Sequence, residues 1–265
     1  MTAAAADPPP RFASAADVER ARAGLARWGF HEEGLRAAFG VGAPRELFVG
    51  GRAAFARRTS GAGPLPLLAR LFLAGLDVPR AALREAVGVE GLAALVACGL
   101  LEASGDDPIR ARAALAPFEG LLLAFDRADR HASAAGDFTL GPGPATRRVA
   151  DLRLRRPAGQ VLDLGCGSGA LACLAARDGS RVTAVDVNAR ALAFARFNAQ
   201  LNGLEVEWLE GDLFAPVAAR RFDLVLCNPP YVVSPASTFV YRDGPPGLCA
   251  RIAREGPAHL AEGGV

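Results

Sequence analysis

Val161-Leu162-Asp163-Leu164-Gly165-Cys166-Gly167-Ser168-Gly169 is an apolar run that ends in three glycines. The run suits a buried strand, and the glycines let the chain turn tightly and bring backbone close to a ligand. A helix is expected directly after it, from about Ala170 to Arg177. Arg181 to Val185 reads as the next strand and ends in Asp186. Val206 to Leu209 reads as a third, followed by Glu210-Gly211-Asp212-Leu213. Phe222 to Cys227 reads as a fourth, stopped by Asn228-Pro229-Pro230-Tyr231. Two consecutive prolines cannot continue a ladder, and the residue before a proline is pushed to extended geometry. Strands alternating with helices in this way predict an α/β fold with a Rossmann-like parallel sheet, in which ligands bind beyond the C-terminal strand ends.

Those ends carry chemistry. Three acids (Asp163, Asp186 and Asp212) and Asn228 fall at or near the ends of successive strands. Asp186 is placed like the carboxylate that holds ribose hydroxyls in βαβ nucleoside sites. The Asn228 side chain and the Pro229 carbonyl form a stiff pair of acceptors suited to a planar NH2 group, and Tyr231 offers an aromatic face to lie against it. Each feature has a plainer reading in isolation. G-x-G-x-G also suits an NAD site or a tight strand–helix join, Asp163 a turn cap, either other acid a loop carboxylate, and Asn-Pro-Pro-Tyr a turn. Their order at successive strand ends is what favours a site.

The same residues resemble the class I S-adenosylmethionine-dependent methyltransferases, in the branch that carries N-P-P-Y. That branch includes the HemK-type glutamine methyltransferases of release factors, and certain ribosomal RNA and DNA amino-methyltransferases. The resemblance covers roughly Asp137 to Val265. It implies S-adenosyl-L-methionine as cofactor, with the backbone of Gly165, Cys166, Gly167 and Gly169 under the methionine moiety. Asp163, Val187, Leu213 and Asn228 would complete the cofactor site, with Asp186 on the ribose and Asp212 near the adenine amino group. Asn228, Pro229, Pro230 and Tyr231 would hold the nitrogen to be methylated, and Phe138 would line the target pocket. The implied partner is a macromolecule: a protein such as a release factor, or ribosomal or transfer RNA. A HemK-like glutamine is favoured because Arg242-Asp243-Gly244-Pro245-Pro246-Gly247-Leu248 also resembles that group. The implied function is N-methylation of an amide or amino nitrogen. The rival from another class is a non-catalytic protein that senses the cofactor and binds nucleic acid.

Composition sets limits. The 265 residues are 51% hydrophobic, enough for one or two cores, and two domains are expected. There is no apolar run of about eighteen residues to cross a membrane. Residues 1–12 lack the pattern of a signal peptide and read as a disordered lead. Cys98, Cys166, Cys173, Cys227 and Cys249 form no C-x-x-C, and His31, His131 and His259 follow no ligand spacing. We therefore expect reduced thiols in a cytoplasm, no metal, and packing rather than nucleophilic roles for Cys166 and Cys173. All 30 basic residues are arginine, a pattern that fits a GC-rich bacterial genome. The net charge is only +2, with 18 arginines against 16 acids up to residue 150 and 12 against 12 beyond it. No basic stripe argues for a polynucleotide partner.

Residues 13–130 read as a mostly helical domain, and 131–265 as the methyltransferase domain. Ser14 to Asp17 is a capping start, with Val18, Ala21, Leu25 and Trp28 on one face and Gly29 closing the helix. Further helices are expected at Glu32–Phe39, Leu65–Ala74, Pro79–Val87 and about Gly91–Cys98. A hairpin is expected from Gly99–Ala103 and Ile109–Leu115, turning at Ser104 to Pro108. Three helices and a hairpin resemble a winged helix, although Gly91 to Cys98 contains no Arg, Asn or Gln to read a base edge. HemK-type enzymes carry a helical bundle there instead. Near the other end one helix is expected over about Pro246–Leu260. The chain stops at Glu262-Gly263-Gly264-Val265, where the family begins its fifth of seven strands, so three strands are expected to be missing and the fourth strand's edge to be open.

Overall fold

A computed structural model describes residues 8–42, 44–103, 107–133, 136–153, 157–231 and 246–265. The chain divides into two compact units, Met1–His131 and Ala132–Val265. The turn at Ser104 to Asp106, most of the expected disordered lead and Arg242 to Pro245 lie outside the described residues.

The first unit is helical, with a small antiparallel hairpin. Helix α1 (Ala15–Arg27) starts where Ser14 accepts the Asp17 N–H, and α2 spans Glu32–Phe39 with a left-handed Gly40 at its end. After α3 (Gly51–Arg58), α4 (Pro64–Ala74) opens on a proline, which needs no N–H there, and closes on Gly75 at φ 60°. The two helices expected between 79 and 98 abut as α5 (Arg80–Ala97), broken at Gly88 by a positive φ. Trp28 decides how α1 meets α5: a Cβ on Gly91 would lie 2.5 Å from its ring. Phe30 and Phe72 meet edge to face at 5.7 Å in the core of this unit.

The hairpin forms in a different place from the one expected. Leu101 and Ala111 make only an isolated antiparallel bridge. The continuous ladder joins β1 (Ala114–Phe118) to β2 (Leu121–Phe125), with Phe118 opposite Leu121. Its two-residue turn, Glu119-Gly120, takes φ 51° and 80°, the double positive φ that matches the strand twist. Glutamate is an uncommon residue for that conformation, so the sequence carried little signal for it. The α3 helix and a 3-10 turn at Pro44–Phe48 were not expected either.

The second unit is an open parallel α/β sheet. Helix α6 (Pro144–Leu152) precedes β3 (Gln160–Leu164), α7 (Ala170–Arg177), β4 (Arg181–Asp186), α8 (Ala189–Asn202), β5 (Glu207–Glu210) and β6 (Leu224–Cys227). The sheet order is β5-β4-β3-β6, and all three pairings are parallel. Side chains alternate across β3. Leu162 and Leu164 enter a core with Val185, Phe214, Val217 and Phe222, against which Ile252 packs. Asp163 points to the opposite face, where its carboxylate accepts the Ala172 N–H of α7 at 2.8 Å. Both faces are therefore covered, as continuous apolar strands require. The order reverses between β3 and β6, and ligands of such sheets bind at that reversal.

The last segment corrects the sequence reading twice. The single helix expected to Leu260 ends early: α9 spans Leu248–Glu255, and a 3-10 turn covers Gly256–His259, where Pro257 cannot donate to a continuing helix. The edge of β6 is also not bare. Phe222 bridges Leu260 in parallel, and Val225 N–H donates to the Val265 carbonyl at 2.8 Å. His259, stacked on Phe214 at 4.4 Å, anchors this return.

Candidate functional site

The site starts from the glycine loop. Gly165, Gly167 and Gly169 have φ of 70°, 53° and 80°, a region that other residues enter at a penalty. Gly165 and Cys166 donate backbone N–H groups to the Val185 carbonyl, and Gly169 donates to Cys166. Asn198, fully buried on α8, donates its side-chain amide to the Ser168 carbonyl at 2.9 Å. A Cβ on Gly169 would strike the Trp208 ring and Ala195, whereas one on Gly165 or Gly167 would meet open space. That open space is a cavity of about 500 Å³.

The cavity wall gathers Asp163, Gly165, Cys166, Gly167, Asp186, Val187, Asp212, Leu213 and Asn228, together with Phe138 and Pro230. Four strand ends and the strap before α6 thus meet in one place. Asp186 is buried and accepts N–H groups from Gly167 at 2.7 Å and Asn188 at 2.9 Å. Burial pushes its carboxyl up, against these two bonds. Asp163 is more enclosed: burial, aided by the nearby Asp186 charge, pushes its carboxyl up to about 7. Burial likewise pushes the Cys173 and Cys227 thiols up to about 12, and Cys166 well above its ordinary value. These cysteines are held as neutral thiols, which suits packing and not nucleophilic attack.

Pro229 and Tyr231 stand outside the wall, and Tyr231 is 64% exposed. The aromatic ring of the wall is Phe138, buried beside Thr139 and Leu140. Asn188 ties that strap to the start of α8 by donating to the Asp137 carbonyl at 3.0 Å.

Sequence reasoning missed three wall residues that carry polar or apolar contacts of consequence. Thr146 on α6 accepts from the Asn228 amide at 3.2 Å. Arg251 on α9 pairs with Asp212 at 2.7 Å, and Leu248 joins it. Thr146 had no motif around it. Arg251 lay within the expected helix, but its partner is 39 residues away.

An open parallel sheet with a glycine loop, a buried acid at the end of the second strand and a cavity over the strand-order reversal defines a nucleoside-type α/β domain. Residues 146–265 match the family model described as the methyltransferase small domain. Residues 27–114 match a domain of unknown function, DUF7059. The chain is 35% identical over 181 residues to a release factor glutamine methyltransferase of Deinococcus radiodurans, covering 62% of this chain and 64% of that protein. It is 35% identical over 162 residues to the ribosomal RNA small subunit methyltransferase C of Chromohalobacter salexigens, covering 58% and 45%. The chain thus spans about half the length of the curated relatives it matches. A 16S rRNA methyltransferase of T. thermophilus, solved with AdoMet and guanosine, overlaps 56% of this chain and 45% of that one, at 23% identity and a TM-score of 0.38. Among the described residues, no helix is long and apolar enough to cross a membrane.

Proposed function

We propose that this protein is an S-adenosylmethionine-dependent N-methyltransferase acting on the planar nitrogen of a macromolecule. The observation that carries the proposal is the position of Asn228. Its amide is tethered in the wall of the same cavity as the glycine loop and Asp186. Both fit the cofactor: two glycines leave room that a Cβ would fill, and a buried carboxylate stands at the end of β4 where ribose hydroxyls can donate to it. Gly165 and Gly167 would pass under the methionine moiety, Asp186 would accept from the ribose, and Asp212 and Leu213 would border the base. When bound, the sulfonium supplies an electrophilic methyl group.

The chain's own residues supply position and charge. An amide or aromatic amine is a poor nucleophile because its lone pair is delocalised. Asn228 Oδ1, accepting one of its N–H groups, orients the nitrogen and favours positive charge developing on it. Asn228 is the acceptor we rely on, since Pro229 lies outside the wall. The apolar side chains of Phe138, Leu140 and Pro142 line the same cavity.

The target is proposed to be a glutamine side chain of a protein. The two relatives described above divide between release factor and ribosomal RNA methyltransferases, and a glutamine amide and a base amine share the NH2 group that Asn228 would hold. The low net charge favours the protein target. The test begins with calorimetric titration of S-adenosylhomocysteine into the wild-type chain and Asp186→Ala. It continues with labelled methyl transfer to a release factor and to ribosomal RNA. Micromolar binding lost in Asp186→Ala is expected, with protein labelling that falls about a hundredfold in Asn228→Ala while cofactor affinity holds. Labelling that survives Asn228→Ala would sink the reading, and labelling of RNA alone would move the target to a base.

A further inference from the structure

We propose that Asn198 is a positioning residue for the cofactor: it locks one peptide of the glycine loop in the orientation that keeps the cavity floor clear. The inference rests on the reading above that this cavity takes S-adenosylmethionine. Helix α8 buries an otherwise apolar face, Leu192, Phe194, Ala195 and Leu201 among it, and that face carries Asn198 with no exposure at all. Asparagine is a poor helix former, and a buried amide costs free energy unless it is bonded. Its bond goes to the loop, where Nδ2 donates to the Ser168 carbonyl at 2.9 Å. A carbonyl oxygen only accepts, so the NH2 end of the amide is the end that faces it.

The Ser168 carbonyl and the Gly169 N–H belong to one planar trans peptide and point to opposite sides of the chain. Asn198 takes the oxygen, and the Cys166 carbonyl takes the N–H at 2.9 Å. Gly169 stands at φ 80°. A half-turn of the peptide would carry it to about −100°, a region that glycine enters as freely. Glycine alone therefore offers little resistance to a flip; the two bonds supply it. Ser168 lines the cavity and Asn198 does not. A flipped peptide would turn its oxygen from the buried amide toward the cavity, where it would occupy room on the floor beside Gly167. Asn198 thus acts through Ser168, without touching the ligand itself.

Asn198→Leu tests the lock, because leucine has the branched shape of asparagine without a donor. A carbonyl that faces leucine is worse placed than one that faces the water of the cavity, so the flipped peptide becomes the major form. The first readout is calorimetric titration of S-adenosylhomocysteine into the full chain. The second is hydrogen exchange of the Gly169 N–H, followed by 15N–1H spectra and measured relative to the amides of β3. We expect affinity to fall about tenfold, as a binding-competent fraction of about a tenth implies. Gly169 exchange should rise at least about tenfold while the β3 amides keep their rates, whereas a general loss of stability would move all of them together. Linkage adds a test that needs no variant: saturating S-adenosylhomocysteine should slow Gly169 exchange in wild type by at least the factor lost in Asn198→Leu. The proposal is overturned if Asn198→Leu binds within twofold of wild type, if Gly169 exchange rises no more than that of β3, or if the ligand leaves Gly169 exchange in wild type unchanged relative to β3. The last comparison decides the matter even where Asn198→Leu does not fold. If wild type binds no S-adenosylhomocysteine, the reading of the cofactor fails and the proposal with it, whatever Gly169 exchange shows of the loop.

Discussion

Replacing Asp163 by Asn gives a direct test of how this site is built. The carboxyl is 1% exposed, and burial pushes it up to about 7 from an ordinary value of 3.8. A group whose folded pKa is raised binds its proton more tightly in the fold than in the unfolded chain. For an acid, its contribution therefore favours folding at low pH and is lost as pH rises between about 4 and about 7. A separation of about three units corresponds to roughly 4 kcal/mol over the whole window. Between pH 5 and pH 8 the wild-type protein should lose about 2.5 to 3 kcal/mol through this group alone. Asparagine keeps the shape and can still accept the Ala172 N–H, but it cannot ionise. The stability of Asp163→Asn relative to wild type should therefore grow by that amount across the same range. Urea unfolding followed by tryptophan fluorescence measures it, and Trp28→Phe in both proteins leaves Trp208 as the reporter of the second unit. A gap that stays constant from pH 5 to 8, or narrows as pH rises, would refute the argument that Asp163 is a buried carboxyl destabilised by its own charge.

Three further outcomes follow from the same unit. Gly167→Ala should lower stability by only about 1 kcal/mol, the penalty of a positive φ, yet should abolish measurable S-adenosylhomocysteine binding, because its Cβ enters the cavity. Gly169→Ala should destabilise by about 3 kcal/mol or more, since its Cβ would stand 2.8 Å from the Trp208 ring and 2.9 Å from Ala195; thermal unfolding and calorimetry of the pair separate the two effects. Arg153→Ala should cost about 3 kcal/mol by removing the buried partner of Asp178 and leaving that carboxylate only the longer Arg177 contact at 3.7 Å, read as a lower urea midpoint of the second unit.

Much of the second unit was legible because its signals are local. The strand of Val161 to Leu164 and the helix of Ala170 to Arg177 needed only an apolar run, a glycine loop and the absence of breakers. The acids and Asn228 could be placed together because parallel strands put successive C-terminal ends on one side. Contacts between distant segments were not legible. Nothing near Thr146 announces Asn228, and nothing in α9 announces Asp212. The return of Leu260 to Val265 along β6 depends on Phe222 being there to bridge, so the edge read from sequence as bare is partly paired. In the first unit the hairpin was misplaced because Leu121 to Phe125 is uniformly apolar and lacks the alternation that marks a strand, and because Glu119-Gly120 is a weak turn signal. Tyr231 shows the opposite failure: its motif drew attention to a ring that is largely exposed, while Phe138 supplies the aromatic wall.

The bonds that hold the glycine loop have a thermodynamic corollary. Gly165, Cys166, Gly167 and Gly169 all spend their N–H groups within the protein, and Asn198 fixes the Ser168 carbonyl from behind. The conformational entropy of this loop is therefore lost when the domain folds and not when a ligand arrives. A ligand meets a floor of fixed shape, and its association carries little ordering penalty there. Such a floor cannot reshape itself for a larger or smaller guest. Discrimination among chemically similar guests then falls to the surfaces around it, the Phe138 to Pro142 strap and the Leu248 and Arg251 face of α9, and those are the places to alter if a different guest is wanted.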